Sequence, residues 1–424
     1  MGGPVQRNER ILYALLTLLI TALAVTGIML EGPFQVVRQT LSLQTESARL
    51  INDFTRYGVG TAMFNAATVG ALCLILVFYA TVSLSGPTLS AILTVMGFSF
   101  FGNTLLNCIP LITGVWLASK MAHKTFGSYS LIALFGTALG PLVTHLMFHI
   151  GLPLGLSIPL GLVSGLAAGF ILPAVAGSML ALHQGYNLYN VGFSCGFIGL
   201  FAANLLIATK KMQSLSIEWG TSFSLPLFLL VPLFSLILLV TSLVVEKPRK
   251  TLQGFLAIQK LSGRLPYDFF DTGHYGGTLA NIGLLGLLYW AYVLAVGSPI
   301  NGPVIGGIFT IMAFGGFGKT VKNTLPVLAG VVLSTLLFSK NLNAPGPLLA
   351  ALFSTTLAPI AGQFGIIAGI LAGAVHLIMV EVTASWHGGL DLYNNGFAGG
   401  LTASLFIAIL QWYKTNRPEE DFTT

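Results

Sequence analysis

Apolar segments alternate with short polar stretches along almost the whole chain, and the order of segments occurs twice. In the first half the apolar segments are 11–30, 61–83, 88–101, 104–119, 129–149, 159–182 and 191–209. In the second half they are 222–245, 278–297, 302–338, 346–362, 365–385 and 396–412. Because a spanning helix needs about 20 apolar residues, the pattern predicts an all-α polytopic membrane protein. Its two repeats are predicted at 1–215 and 216–424.

Composition supports a membrane protein. The chain has 424 residues, of which 54% are hydrophobic and 8% are charged. Soluble domains carry about 25% charged residues, so these charges are too few to cover a soluble surface. The net charge of +6 fits basic cytoplasmic loops. We expect the lipid bilayer as a partner and no nucleic acid, because the basic residues form no clustered face.

One duplicated stretch organises the pattern. Residues 86–110 read GPTLSAILTVMGFSFFGNTLLNCIP, and residues 302–326 read GPVIGGIFTIMAFGGFGKTVKNTLP. Eleven positions are identical when the copies are aligned at a shift of 216 residues. Each copy places a polar break, 101–104 or 317–320, between two apolar half-helices. A duplicated element of this kind in an apolar chain is typical of transporters built from two halves.

The charge of two equivalent linkers predicts how the halves are oriented. Linker 31–60 carries balanced charges, whereas its counterpart 247–276 is rich in lysine and arginine. The positive-inside rule places the second linker in the cytoplasm and the first outside, which requires inverted repeats. We therefore predict two inverted repeats, each with about five transmembrane helices plus one re-entrant hairpin. The alternative has six crossings per half and parallel repeats, if 104–119 and 323–338 span fully.

This orientation predicts a multi-pass protein of the cell (plasma) membrane with both termini in the cytoplasm. It places most of the remaining basic residues inside: Arg7, Arg10, Lys120, Lys124, Lys414 and Arg417. It places three lysines outside, against the positive-inside rule: Lys210, Lys211 and Lys340.

The two polar breaks are the first candidate site. A half-helix that begins within the membrane points partial positive charge at whatever lies before it. Ionisable residues at membrane depth are functional by default, which singles out Lys319. We predict a solute site near the midplane formed by Asn103, Thr104, Asn107, Lys319, Thr320 and Asn323. The alternative is a structural kink whose polar groups cap one another.

Two polar inserts form the second candidate site. HQGYNLYN at 183–190 and HGGLDLYN at 387–394 lie 204 residues apart, each between two apolar segments. In the functional interpretation each insert is unwound and faces the pathway through polar side chains, namely Asn187, Asn190, Asp391 and Asn394. In the alternative each insert is an interfacial turn anchored by its tyrosine, Tyr189 or Tyr393.

The last candidate residues lie on the apolar segment 365–385. Glu381 and His376 are predicted to bind a coupling proton or cation. The alternative is that Glu381 pairs with Lys319 or Lys322, because a buried charge is usually compensated. No strong nucleophile–base pair or metal-ligand set is evident, so we expect no enzyme, no catalytic residue, no metal and no cofactor.

The paired motifs HxGxxLYNxGF and FG(N/K)T resemble an uncharacterised prokaryotic multi-pass membrane family, known as a domain of unknown function. That resemblance covers nearly the whole chain and implies no activity. The repeat architecture also resembles the urea transporters, which have a turn like Gly185-Tyr186-Asn187. The pair Asn103-Thr104 is similar to the hairpin tips of divalent-anion/sodium symporters. Lys319 replaces the second asparagine of those tips, which argues against sodium coordination there.

Together these patterns predict an integral membrane transporter, secondary active, that moves a small polar or anionic solute. The alternative is a channel-like facilitator of a small neutral solute or ion. A membrane enzyme or assembly subunit is the third possibility, and the chain offers no active-site motif for it. A homodimer is the expected oligomeric state.

Overall fold

The computed structural model describes residues 7–212 and 215–416, and helices make up most of them. In the first half the helices are α1 (Arg7–Glu31), α2 (Pro33–Leu43), α3 (Val59–Tyr79), α4 (Gly86–Phe98), α5 (Leu105–Met121), α6 (Ser130–Phe135), α7 (Gly140–Phe148), α8 (Leu154–His183) and α9 (Asn190–Ala208). In the second half they are α10 (Leu225–Val245), α11 (Pro248–Ile258), α12 (Tyr275–Ala295), α13 (Gly302–Phe314), α14 (Val321–Leu337), α15 (Pro345–Phe353), α16 (Ala358–Phe364), α17 (Ile366–Trp386) and α18 (Asn394–Asn416).

The all-α polytopic class is confirmed. In the described ranges, ten segments are long and apolar enough to cross a bilayer, five in each half. Two of them are broken by a 3-10 turn: α6 and α7 meet at Gly136–Leu139, and α15 and α16 meet at Ser354–Leu357. Each turn leads directly into a Gly-Pro or Ala-Pro pair, where proline cannot donate a helical hydrogen bond.

The duplicated stretch forms two pairs of half-helices. Helices α4 and α13 have 13 residues each, about 20 Å, whereas the hydrocarbon core is about 30 Å thick. Nearly every residue of both helices is buried, so neither faces lipid. The polar breaks therefore lie inside the protein, which is where irregular backbone at membrane depth is tolerated.

Equivalent helices from the two halves pack against each other in opposite directions. A Cβ atom added to Gly86, at the start of α4, would lie 2.2 Å from the carbonyl oxygen of Gly316, just past the end of α13. At the other end, a Cβ on Gly302 would lie 2.4 Å from the carbonyl oxygen of Phe100. Helices α4 and α13 are thus antiparallel and in close backbone contact. Antiparallel packing of equivalent helices is the contact expected of inverted repeats.

Glycines of α8 and α17 let these helices pack closely against the second half-helices, α5 and α14. A Cβ on Gly169 would lie 2.1 Å from the carbonyl oxygen of Leu111 in α5, and a Cβ on Gly373 would lie 2.1 Å from that of Val327 in α14. Small residues let helix backbones approach this closely.

The linkers are short helices followed by extended chain. Strand β1 (Ile51–Asn52) of the first linker pairs in parallel with β2 (Ile217–Glu218). The side chains of Arg7 and Lys414, and the whole of Arg417, lie outside the described residues. Their predicted cytoplasmic location stays a prediction.

A matched pair of cysteine variants tests the orientation of the halves. Thr45 and Lys260 are exposed, and each occupies the same place in its linker, 215 residues apart. We expect a membrane-impermeant maleimide to label Thr45→Cys from outside intact cells and Lys260→Cys only after the membrane is opened. The background is low because Cys73, Cys108 and Cys195 are buried. Labelling of both variants from the same side would contradict inversion.

Candidate functional site

The second half-helix of each pair begins with a capping box. The Thr104 hydroxyl accepts from the N–H of Asn107, and the Asn107 side chain accepts from the N–H of Thr104 at 2.9 Å. Thr320 and Asn323 make the same two bonds, at 3.1 and 2.7 Å. These four predicted site residues therefore satisfy the helix N-termini themselves, as the alternative interpretation of the breaks expected.

Two asparagines bind the backbone at the C-terminal ends of the first half-helices, α4 and α13. The Asn65 side chain donates to the carbonyl of Asn103, and the Asn281 side chain donates to the carbonyl of Lys319, each at 2.8 Å. Each amide also reaches one carbonyl in the preceding turn, at 2.7 and 2.8 Å. The carbonyls freed by the break are thus satisfied without water.

Two linker aspartates cap the first half-helix of the opposite repeat. Asp53 accepts from the N–H of Gly302 at 3.1 Å, and Asp268 accepts from the N–H of Gly86 at 3.0 Å. Asp53 also accepts from the N–H of Gly220 at 2.9 Å. Burial raises the pKa of both carboxyls, and these N–H donors oppose that rise. Each repeat therefore holds the other one in place.

Lys319 lies wholly buried at the second polar break. Its ammonium group donates to the Tyr189 hydroxyl and lies 5.2 Å from the centre of the Phe314 ring. In the part of the chain that the structure describes, the ion pairs are Arg56–Glu218, Lys250–Glu246 and Lys340–Glu381. Lys319 thus has contacts that can stabilise a cation but no carboxylate beside it.

Glu381 does not pair with Lys319 or Lys322, so that expectation is wrong. Its carboxylate binds Lys340, and the side chain is 31% exposed. Lys340 follows the C-terminal end of α14, which packs along α17, so tertiary packing brings the two together. The other predicted coupling residue, His376, is buried and bonds the side chain of Asn395 at 3.0 Å.

The surroundings of Lys319 are richer in hydroxyl groups than those of its counterpart, Asn103. The Tyr289 hydroxyl lies beside Thr324 without a hydrogen bond of normal geometry, and Thr355 lies beside the Tyr189 hydroxyl. Asn103 donates to Thr137 at 3.0 Å. The first half replaces two of these hydroxyl side chains with thiols, at Cys73 and Cys108. The second polar break therefore offers donors that an anion could use.

Six aromatic rings from both halves pack together beside the two polar breaks. Tyr189 and Tyr393 contact each other with ring centroids 4.7 Å apart. Tyr189 packs against Phe314 at 5.0 Å, and Tyr393 against Phe98 at 4.6 Å. We call the whole group the aromatic layer: Phe98, Phe135, Tyr189, Phe314, Phe353 and Tyr393. Both tyrosines are almost completely buried, so they are not the interfacial anchors of the alternative interpretation.

Two small cavities adjoin this layer, and equivalent residues line them. The first cavity has a volume of about 250 Å³, and Leu265 and Pro266 of the second linker line part of it. The second cavity has a volume of about 190 Å³, and Leu50 and Ile51 of the first linker line part of it. Further equivalent pairs line the two: Leu131 and Leu349, Phe135 and Phe353, Leu188 and Leu392, Asn190 and Asn394, Phe317 and Phe101. The two cavities thus occupy equivalent places in the two halves, beside the aromatic layer.

The polar inserts connect the cavities to the layer. Asn190 Oδ1 accepts from Nε2 of the His183 ring at 2.9 Å, and Asn394 Oδ1 accepts from Nε2 of His387 at 3.0 Å. These bonds tie each insert to the preceding helix. Asn187 and Asp391 are wholly buried beside the layer and line neither cavity.

A larger groove lies on the outer surface and is not the candidate site. It has a volume of about 1070 Å³ and runs between Lys260, Lys322 and the start of α17. Ile366 and Ile367 line it and are mostly exposed, which is typical of a surface that faces lipid. Within residues 7–212 and 215–416, no group of three His, Cys, Asp or Glu side chains could hold a metal ion.

The sequence contained a signal for the linker residues that our prediction missed. Asp53 and Asp268 lie 215 residues apart, and Asn65 and Asn281 lie 216 apart, close to the shift of the duplicated stretch. Extending that alignment toward the N-terminus would have found them. The residues of the aromatic layer repeat as well, as Phe98 and Phe314, Phe135 and Phe353, and Tyr189 and Tyr393, but the repeat does not show that the three pairs meet.

Comparison with known proteins yields a family and no function. A family model described as "Protein of unknown function (DUF1576)" matches residues 32–208 and 247–412. The starts of the two matches differ by 215 residues and their ends by 204, so each match covers equivalent parts of the two halves. Neither a curated protein nor a solved structure matches the chain.

Replacing Lys319 with methionine is expected to make the protein more stable. Exchanging buried ionic groups for apolar side chains is often neutral or stabilising by about 1–4 kcal/mol, and the Tyr189 hydroxyl keeps Thr355 as a neighbour. The measurement is the midpoint of thermal unfolding in detergent, with the exposed Lys322→Met as the matched control. A midpoint for Lys319→Met well below that of the control would mean that the lysine is a structural residue.

Proposed function

The chain belongs to the family described as a protein of unknown function (DUF1576), which covers both halves, and we propose that it is a secondary active transporter of small organic anions. The observation that carries this proposal is Lys319, a wholly buried lysine beside a hydroxyl group and without a carboxylate partner in the described chain. Burying an isolated charge costs free energy. We therefore expect such a residue to be retained where a ligand of opposite charge compensates it.

The size and chemistry of the two cavities favour a small anion with an apolar part. The volumes of about 250 and 190 Å³ are at or below the lower end of the range for ligand pockets. Their walls are mainly leucine, phenylalanine and tyrosine, which suit a hydrocarbon or aromatic group. Lys319 lines neither cavity, so the anionic group would have to reach past the Tyr189 ring, whose hydroxyl binds the Lys319 ammonium group. A carboxylate or a sulfonate on a small apolar body meets both requirements.

Alternating access follows naturally from this arrangement. Residues of the aromatic layer line both cavities, and the linker of one repeat lines each cavity. A change that opens one cavity and closes the other needs only a rocking of equivalent elements, as in other transporters with repeats. The glycine contacts between α4 and α13 leave little side-chain volume to obstruct such sliding.

The alternative function, a channel-like facilitator of a neutral solute or ion, has less support. A facilitator needs a continuous pathway, and here six rings lie between the two cavities. The same proposal has four further parts. The solute is small, the protein is a multi-pass protein of the plasma membrane, it has no enzymatic activity, and it is a homodimer.

Counterflow in liposomes tests the proposal. Vesicles loaded with unlabelled anion are diluted into labelled lactate, benzoate or benzenesulfonate, with urea as the neutral probe. We expect exchange of at least one anion by the wild type. We expect Lys319→Met to lose it by about 10–100-fold, as for one hydrogen bond to a charged group. Lys322→Met should exchange like the wild type.

Two outcomes would contradict the proposal. Equal exchange by Lys319→Met and wild type would remove the lysine from the site. Rapid passage of urea through the wild type, unaffected by Lys319→Met, would favour the facilitator.

A further inference from the structure

The two halves differ at a second buried ionisable position. Asp391 in the second polar insert is the counterpart of Asn187 in the first. Both side chains are wholly buried. Since the surrounding backbone repeats, the bonds of Asn187 show what this position requires of a side chain.

Asn187 uses its amide as both acceptor and donor. Its oxygen accepts from the N–H of Tyr189 at 3.2 Å and from the hydroxyl of Thr356 at 2.5 Å. Its nitrogen donates to the carbonyl of Gly396 at 3.2 Å. A side chain at this position therefore needs one acceptor atom and one donor atom to satisfy the groups around it.

Asp391 supplies the acceptor, and its second oxygen has no partner. Oδ1 accepts from the N–H of Tyr393 at 2.9 Å. Ala138 stands where the other half has Thr356, so no hydroxyl is present to donate. Oδ2 has no hydrogen bond among the described residues. A protonated carboxyl would place an O–H donor where Asn187 has its N–H donor.

Among the described residues, Asp391 belongs to none of the ion pairs, so no partner balances an ionised form. Cys195 of α9 and the Tyr393 hydroxyl are close to the carboxyl. His387, at the end of α17, lies on the same side of Gly199 as Asp391, and its Nδ1 has no partner in the described chain. Arg49, from the linker packed on the insert, donates to the carbonyl of Gly388 at 2.9 Å. A carboxylate this deeply buried is expected to hold its proton.

The carboxyl is well placed to influence the pathway. The next residue, Leu392, lines the second cavity, and the one after it, Tyr393, lines the first cavity and belongs to the aromatic layer. Asp391 bonds the backbone N–H of Tyr393 directly. Loss or gain of the proton thus changes a bond that positions the ring between the cavities.

Resting on the proposed transport of an organic anion, we propose that Asp391 is the coupling residue and carries one proton per cycle. The carboxyl takes up a proton that enters from the side where the anion binds. It releases that proton toward the other side after the layer has rearranged. The proton and a monovalent anion cross together, and the cycle moves no net charge. This assigns to Asp391 the role predicted for Glu381, which instead forms an exposed pair with Lys340.

The experiment measures proton movement and anion exchange separately. Liposomes contain a pH-sensitive dye, and benzenesulfonate is the probe because it stays ionised and does not leak as a neutral acid. Adding it outside is expected to acidify the lumen of wild-type vesicles. Asp391→Asn, which installs the residue of the first half, is expected to keep counterflow while acidification falls to the level of empty vesicles. Asp271→Asn, at an exposed linker carboxyl, is the matched control and should acidify like the wild type.

The outcomes distinguish the two proposals. Absence of benzenesulfonate counterflow in the wild type would count against the transport function. Counterflow without acidification in the wild type would overturn proton coupling and leave transport standing. Acidification by Asp391→Asn equal to that of the wild type would overturn the assignment to this residue, as would a folded Asp391→Asn that loses counterflow too.

Discussion

The constraint on which this structure depends is that broken helices inside a membrane protein must have every backbone group satisfied. Two helices stop at the polar breaks, and each leaves donors or acceptors that water cannot reach. The capping boxes, the two asparagines and the two linker aspartates satisfy these groups. Because Asp53 and Asp268 each cap a helix of the opposite half, neither half-helix pair is complete without the other repeat.

This symmetric framework explains where the chemistry lies. Side chains that satisfy the backbone are the same in both halves, as for Asn107 and Asn323 or Asn65 and Asn281. Two of the charged substitutions, Lys319 for Asn103 and Asp391 for Asn187, are buried and fall at positions whose counterpart is a neutral amide. A duplicated scaffold keeps the residues needed for folding in both copies, so differences between the copies are the better guide to function. The asymmetry makes Lys319 and Asp391 the functional candidates.

Much of the fold could be predicted from the sequence, because hydropathy and an internal repeat report directly on helix order. The ten spans and the two interrupted pairs follow from these patterns. The site could be predicted only in part. Lys319 was found because a charge within an apolar segment is conspicuous. Thr104 and Thr320 were given a ligand role, whereas each one caps its own helix. The sequence does not distinguish these roles, since a cap and a ligand use the same polar atoms.

Contacts between helices distant in sequence could not be predicted, for a different reason. The pairing of Glu381 with Lys340 and the aromatic layer both depend on how distant helices pack. Neither the spacing of residues nor the composition of the chain shows which distant helices pack against each other. The buried position of Tyr189 and Tyr393 is of the same kind, since tyrosine near the end of an apolar segment is ordinarily interfacial.

The central claim is that an organic anion binds between the first cavity and Lys319. Anomalous scattering from 4-bromobenzenesulfonate in an experimentally determined structure tests it most directly. The account predicts a bromine peak within the first cavity and a sulfonate about 3 Å from the Lys319 ammonium group, with both lost in Lys319→Met. A peak confined to the outer groove beside Lys260 and Lys322, or no peak in either cavity at saturating ligand, would contradict it.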